Sequence, residues 1–320
     1  MKKYIQLLVG IFFSIVFLYL SYISVGKLDI SKMITFRVNY IWMAVSIFSF
    51  ALTMVFRSLA WSDGLKQSLT FRWAFKGVCV GMGANMVMPF KAGEAIRIGI
   101  FGKYAQEQEK EKHSYYKAGI NLLLERALDI VILTLLALIT LSFVDFGGEM
   151  RQRIYFLRNT ILIAEVVGIA AFVLIWRFRR YWSDLHPYLK KVVEILQGLT
   201  VVKKPKVILK VFAYLMLSWL CIYISTIAAV ISVGMGEINI MGVSLVILVL
   251  TNIAVLLPAA PGGIGVFQYA TVYALGLFAV LGLHAAVLAV LLHFVQYLAI
   301  LPIAGYYLVS MRKWIFQFMK

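Results

Sequence analysis

Apolar residues run along this chain in long unbroken blocks, and polar residues gather in the shorter stretches between them. Crossing a bilayer core of about 30 Å takes roughly 20 helical residues. Runs of about that size cover residues 4–25, 40–61, 119–143, 160–176, 209–233 and 284–309. Two more apolar intervals, 73–104 and 241–281, are interrupted midway by Pro and Gly, in MVMPFKAGEAIR and LLPAAPGGIGVFQ. The arm before each break has about 16 residues, roughly 24 Å as helix, which falls short of a full crossing. Each interval therefore reads as a re-entrant or broken-helix hairpin. The pattern predicts an all-α polytopic membrane protein with six full spans and two broken hairpins, in a single transmembrane domain over 1–320. The run at 4–25 follows Lys2 and Lys3 but exceeds a signal-peptide core of about 7–15 residues and lacks a small-x-small cleavage site. It reads as a retained first span.

The segment order repeats. Two spans, a broken hairpin and a third span fill residues 1–145, and the same order fills 160–320. Asn85, Pro89 and Gly93 in the first break match Asn252, Pro258 and Gly262 in the second. An odd number of crossings per half turns the second copy over, which predicts an inverted repeat with a site between the halves.

Composition fits this picture and adds an orientation. The chain is 62% hydrophobic and 14% charged, against about 25% charged in a soluble domain. Its net charge of +17 would suit nucleic acid in a soluble protein, but here the cations lie between apolar runs, so no nucleic-acid partner is expected. With the N-terminus inside, the inner segments hold Lys2, Lys3, Arg57, Lys66, Arg72, Lys103, Lys110, Lys112, Lys117, the cations from Arg177 to Lys210, Arg312, Lys313 and Lys320. The outer segments hold Lys27, Lys32, Arg37, Arg151, Arg153 and Arg158. The positive-inside rule then predicts a multi-pass plasma-membrane protein with both termini cytoplasmic. Within the loop 177–210, Leu185, Tyr188, Leu189, Val192, Leu196 and Leu199 follow helical spacing opposite Lys190, Lys191, Glu194 and Gln197. That suits an amphipathic helix on the inner leaflet. Trp42, Trp61, Trp73, Trp176 and Trp314 fall near span ends, as interfacial anchors do.

Chemistry is confined to few residues. Glu94 and Arg97 follow the first break, and Glu125, Arg126 and Asp129 lie in the third full span. A charge at a helix centre costs about 2.5–3.5 kcal/mol to insert, so these groups must pair or line a wet cavity. Internal salt bridging and a functional site both satisfy that demand. If both hairpin tips point to the midplane, the helices starting near Glu94 and Ile264 aim two positive N-terminal ends at one region. Lys91 and Arg97 add charge there, and Gly262, Gly263 and Gly265 admit a ligand close to the backbone. That combination favours an anion such as phosphate. Cys79 and Cys221 read as small buried hydrophobes, and His113, His186, His284 and His293 lack metal-ligand spacing. His284 and His293 read as polar points in a packed helix. No nucleophile elbow, zinc-protease, P-loop or dinucleotide motif is present, so neither a metal nor another cofactor is expected.

NMVMPFKAGEAIR, ERALDIVIL and LPAAPGGIGVFQYA together resemble the characteristic stretches of the flippase-like membrane domain of lysylphosphatidylglycerol synthases and its stand-alone relatives. The resemblance spans nearly the whole chain. It implies movement of a phospholipid, aminoacylated phospholipid or polyprenyl-phosphate sugar across the bilayer. By motif position it implies a functional set of Pro89, Gly93, Glu94, Arg97, Glu125, Arg126, Asp129, Pro258, Pro261, Gly262, Gly263 and Gly265, to which Lys91 is added from the charge argument. No soluble aminoacyl-transferase domain follows the membrane part before Lys320, so a transporter rather than an enzyme is expected. The expected partners are lipids with anionic headgroups, a separate lipid-modifying synthase or glycosyltransferase, and a second copy of the chain. The alternatives are a proton-coupled carrier of a soluble anion using Glu94 or Asp129, a membrane-embedded lipid transferase of the phosphatidylglycerol lysyltransferase type, and a structural partner that recruits a separate enzyme.

Overall fold

A computed structural model describes residues 2–26, 30–65, 69–89, 91–109, 114–144, 158–160, 163, 174, 205–235, 238–256 and 260–312. The helices are α1 (Lys2–Val25), α2 (Ile30–Ile34), α3 (Tyr40–Gly64), α4 (Phe71–Val87), α5 (Ala92–Glu109), α6 (Ser114–Phe143), α7 (Pro205–Val233), α8 (Ile240–Ala254), α9 (Val266–Gly276) and α10 (Leu283–Ser310), with a 3₁₀ turn at Pro261–Gly263 before α9. Every regular element among the described residues is helical. Of the predicted runs, those at 4–25, 40–61, 119–143, 209–233 and 284–309 fall on α1, α3, α6, α7 and α10. Most of the run at 160–176, the amphipathic segment at 185–199, Trp176, Trp314 and Pro258 lie outside the described residues. Among the described residues α3, α7 and α10 are long and apolar enough to cross a membrane, and Gly10–Val25 and α8 are shorter apolar helices. This is a helical membrane protein.

Burial is arranged for lipid. Large apolar side chains such as Phe12 (63% exposed) and Ile130 (64%) face outward. Polar residues turn inward instead: Ser46, Ser49, Thr53 and Arg57 recur every three or four positions on α3 and are all buried. Asn121, Glu125 and Asp129 do the same on α6. Residues three or four apart share one helix face, so each helix carries a polar stripe to the interior and an apolar one to the outside. Helix α3 packs against α4, α7 and α10. Against α7 the packing is reciprocal: Ser46 Oγ donates to the Ser225 carbonyl and Ser225 Oγ to the Ser46 carbonyl, both at 2.8 Å. Small hydroxyl residues allow such close helix crossings where hydrophobic collapse offers no drive.

Both broken intervals are helical hairpins, α4–α5 and α8–α9. The first break follows from Pro89, which has no N–H and pushes the preceding residue out of helical geometry; Met88 sits at φ −107, ψ 144. Asn85 Oδ1 accepts the backbone N–H of Gly93 at 2.8 Å across the gap. Gly93 also lies so close to the Gly81 carbonyl that any side chain there would strike it. In the second break Gly262, Gly263 and Gly265 adopt φ of 72, 74 and 87, a left-handed run that other residues resist. Asn252, matched to Asn85 by sequence, instead donates back to the Leu248 carbonyl of its own helix at 2.8 Å.

The two hairpins meet. Tyr297 OH, from α10, donates to the Met86 carbonyl at the end of α4 at 3.4 Å, and a side chain at Gly262 would collide with both. Overpacking such a contact costs about 1–3 kcal/mol. Gly93→Val is therefore expected to lower the apparent melting temperature of the detergent-solubilised protein by several degrees, as read by fluorescence size exclusion after heating. Gly119→Ala, on α6 with open space around it, is expected to leave that temperature unchanged or slightly raised.

Candidate functional site

The inward stripes of α3, α5 and α6 bring six ionised side chains to one place. Arg57 of α3 lies between Glu125 and Asp129 of α6: its Nη1 is 2.5 Å from Glu125 Oε1 and 3.0 Å from Asp129 Oδ2, and its Nη2 is 3.0 Å from Asp129 Oδ1. The last two contacts form a bidentate Arg–carboxylate pair, the strongest common geometry for such ions. Two indoles complete the acceptors. Trp61 Nε1, one turn beyond Arg57, donates to Glu125 Oε2, and Trp219 Nε1 of α7 donates to Asp129 Oδ1 at 2.9 Å.

Arg97 reaches Glu125 from α5. Its Nη1 donates to Glu125 Oε1 at 3.5 Å. Its Nη2 stands 3.0 Å from Glu125 Oε2, an ion-pair distance without hydrogen-bond geometry. The Arg97 guanidinium carbon lies 4.7 Å above the Trp61 ring, so one face of the cation is covered by an aromatic. Only 3% of Arg97 is exposed, yet its Nε and Nη2 have no hydrogen-bond partner. Buried donors are nearly always satisfied, so Nε, and Nη2 beyond its ion-pair contact, hold hydrogen-bonding capacity that the protein leaves unused.

Arg126 forms the outer edge. Its Nε lies 3.2 Å from Glu94 Oε1, its Nη2 3.4 Å from Glu125 Oε1, and its Nη1 3.2 Å from Asp129 Oδ2. Its side chain is 40% exposed, in contrast to the enclosed Arg57 and Arg97. The cluster thus runs from an open end at Glu94 and Arg126 to a closed end at Arg57, Trp61 and Arg97. Three cations match three carboxylates, so the cluster holds no surplus positive charge. Its capacity for an anion lies in the spare N–H groups of Arg97 and in the exposed guanidinium of Arg126.

The other residues expected at the site are distributed differently. Gly93 supports the close α4–α5 packing beside Arg97. Lys91 is exposed at the hairpin tip with φ 51 and makes no described ion pair with the cluster. Pro261, Gly262, Gly263 and Gly265 form the second turn, which touches Met86 and Tyr297 rather than the charged groups. Among the described residues no group of His, Cys, Asp and Glu is placed to hold a metal ion.

A family model described as the lysylphosphatidylglycerol synthase TM region matches residues 7–304 of this chain. The chain belongs to that family. No curated protein and no solved structure matches it. The matched region contains all six charged residues, both hairpins and both tryptophans that bond the carboxylates.

Three members of the cluster escape a reading by span ends. Arg57 was counted among the cytoplasmic cations and Trp61 among the interfacial anchors, because each lies near the end of its apolar run. Both are buried, Trp61 with 1% of its surface exposed. The available signal was the spacing Ser46–Ser49–Thr53–Arg57, which continues a polar face inward. Trp219, within the apolar run at 209–233, gave no signal. Removing one partner from a buried ion pair leaves the other charge uncompensated and costs about 3–5 kcal/mol. Arg57→Ala is therefore expected to reduce yield and thermal stability sharply. Arg126→Ala, at a half-open position, is expected to cost no more than about 1 kcal/mol. Unfolding titrations of the two variants in mild detergent check that order, and Asp129→Ala added to Arg57→Ala is expected to recover part of the loss.

Proposed function

We propose that the protein moves a lipid with an anionic, phosphate-bearing headgroup across the plasma membrane. Family membership supports a membrane lipid role, and the orphan donors of Arg97 are the observation that carries the reading to phosphate. The headgroup enters at Arg126, which is exposed and bound to three carboxylates that can share it. It then passes to Arg97, where Nε and Nη2 offer the parallel pair of N–H groups that a phosphate accepts. Because Glu125 is also held by Arg57, Arg126 and Trp61, Arg97 can turn toward the ligand without leaving that carboxylate bare. The lipid tails stay in the bilayer throughout.

In this reading the two halves of the chain form an inverted repeat, with both termini cytoplasmic and both hairpins re-entrant. The reciprocal Ser46–Ser225 contact supports a pseudo-two-fold axis between α3 and α7, which hold corresponding places in the two halves. The contact between Met86 and the second turn supports hairpin tips that move against each other. The protein then acts as a transporter rather than an enzyme, and a separate synthase or glycosyltransferase makes the lipid it carries. Asp129, engaged by Arg57, Arg126 and Trp219, is poorly suited to the alternative role of a proton carrier for a soluble anion.

The test is transbilayer movement in liposomes of labelled anionic, zwitterionic and aminoacylated phospholipids and a polyprenyl phosphate. One phosphate-bearing class is expected to move, and Arg97→Ala and Arg126→Ala to slow it about tenfold or more, since a charged hydrogen bond contributes about 1.5–3 kcal/mol. Movement that both substitutions leave untouched in folded protein would remove the site from the mechanism.

A further inference from the structure

The second turn is held by a hydrogen-bond chain whose proton positions can be assigned from backbone groups alone. The Gly262 carbonyl can only accept, and it lies 3.0 Å from His293 Nε2, so Nε2 carries a hydrogen. The Gly265 N–H can only donate, and it lies 2.7 Å from the Gln268 side-chain oxygen. That fixes the Gln268 amide, whose NH₂ faces His293 Nδ1 at 2.7 Å. Nδ1 must then hold a lone pair, and His293 is neutral in this conformation. Residues from α9 and α10 thus pin the turn at both ends, at Gly262 and at Gly265. On the far side α1 holds it through Ser14 Oγ, which accepts from Ala260 N at 2.8 Å.

A proton on Nδ1 cannot be added without breaking this chain. The imidazolium has two donors, so Nδ1–H would face the donor face of Gln268. Turning the Gln268 amide relieves that clash but sets its NH₂ against the Gly265 N–H. Every arrangement leaves two donors in contact unless the turn moves. The Phe267 ring stacks on the imidazole at 4.9 Å, and Tyr297 meets it edge-on at 5.0 Å. Tyr297 is the titratable group in contact with His293. Of the other elements packed on α10, α3 commits Arg57 to Glu125 and Asp129, α4 sets Lys76 over Trp73, and α7 commits Lys210 to Asp63 and Tyr223 to the Met241 carbonyl. Cys79 of α4 lies near Tyr307, and α9 and α1 bring Tyr269, which packs on Phe17, and Tyr273, which packs on Tyr269.

We infer that His293 is a proton-binding site which, when neutral, locks the turn at residues 260–265 and, when charged, releases it. The turn also touches Met86 of the first hairpin, so release frees the contact between the two hairpin tips. In the transport reading this supplies a coupling ion, the proton, at a place separate from the arginine cluster. The inference rests on that reading only for what the release accomplishes. The lock itself is a property of His293, Gln268 and the turn.

The test uses the full chain in liposomes without added substrate, so its failure is distinct from a failure of lipid movement. Nitrogen-15 NMR of histidine-labelled protein is expected to show His293 as the neutral Nε2–H form near pH 8, its signal assigned by its loss in His293→Gln. Hydrogen exchange of the Gly265 amide, corrected for the intrinsic pH dependence of exchange, is expected to quicken about tenfold or more toward pH 5 as the signal becomes imidazolium. Gln268→Ala is expected to give fast exchange at both pH values, and His293→Gln to remove the pH dependence. A neutral Nδ1–H form in the native protein overturns the inference. So does a His293 that stays neutral down to pH 5, or a Gly265 amide whose protection ignores the charge on His293, and the native-protein measurements decide these points even if a variant fails to fold.

Discussion

Two carboxylates on one helix face inside a membrane protein need matched cations, and Arg57 bonds both Glu125 and Asp129 at the closed end of the cluster. Without that match the α6 stripe could not turn inward, because burying unpaired carboxylates costs their solvation. With the match made, α6 packs through its charged face, and the indoles of Trp61 and Trp219 take up further acceptor capacity on the same carboxylates. The pairing ties α3, α6 and α7 together at the level of the cluster. It also determines what Arg97 can do. A fourth helix, α5, brings in a guanidinium after the carboxylates have been largely satisfied, and its Nε and Nη2 remain unbonded.

The hairpins serve this centre. Gly81 and Gly93 let α4 and α5 approach closely, which sets Arg97 at the depth of Glu125 and Trp61. The second hairpin contributes no charge to the cluster. It contributes a turn whose backbone groups are bonded by Ser14, Gln268 and His293 and which abuts the end of α4. The charged cluster and the contact between the hairpins therefore rest on different side chains, so each can be altered by substitution with little direct effect on the other.

Much of the fold was legible in the sequence, because lipid imposes a simple length rule on apolar runs and Pro and Gly mark the breaks. The predicted run at 40–61 and helix α3 share Tyr40 as their start, with Asn39 capping it through bonds to the Ile41 and Trp42 amides. The charged residues Glu94, Arg97, Glu125, Arg126 and Asp129 were legible as a set, since charge within an apolar run needs a partner. Which partner each takes was not. Arg57 was assigned by its distance from a span end, when its helix face decides its environment. Asn85 and Asn252 were matched by their places before the two breaks, yet one bridges its break and the other bonds its own helix. The role of His293 depends on a turn about thirty residues earlier in the chain, and no local spacing encodes that contact.

The central claim is that Arg97 keeps donor capacity for a phosphate because Arg57, Arg126 and the two indoles already engage the carboxylates. Its most direct test is an electron cryomicroscopy structure in nanodiscs containing the phosphate-bearing lipid that the liposome assay identifies. The account predicts phosphate density within hydrogen-bonding distance of Arg97 Nε or Nη2, with the bidentate Arg57–Asp129 pair intact. An interior without phosphate, in which Arg97 closes fully onto Glu125, would contradict it.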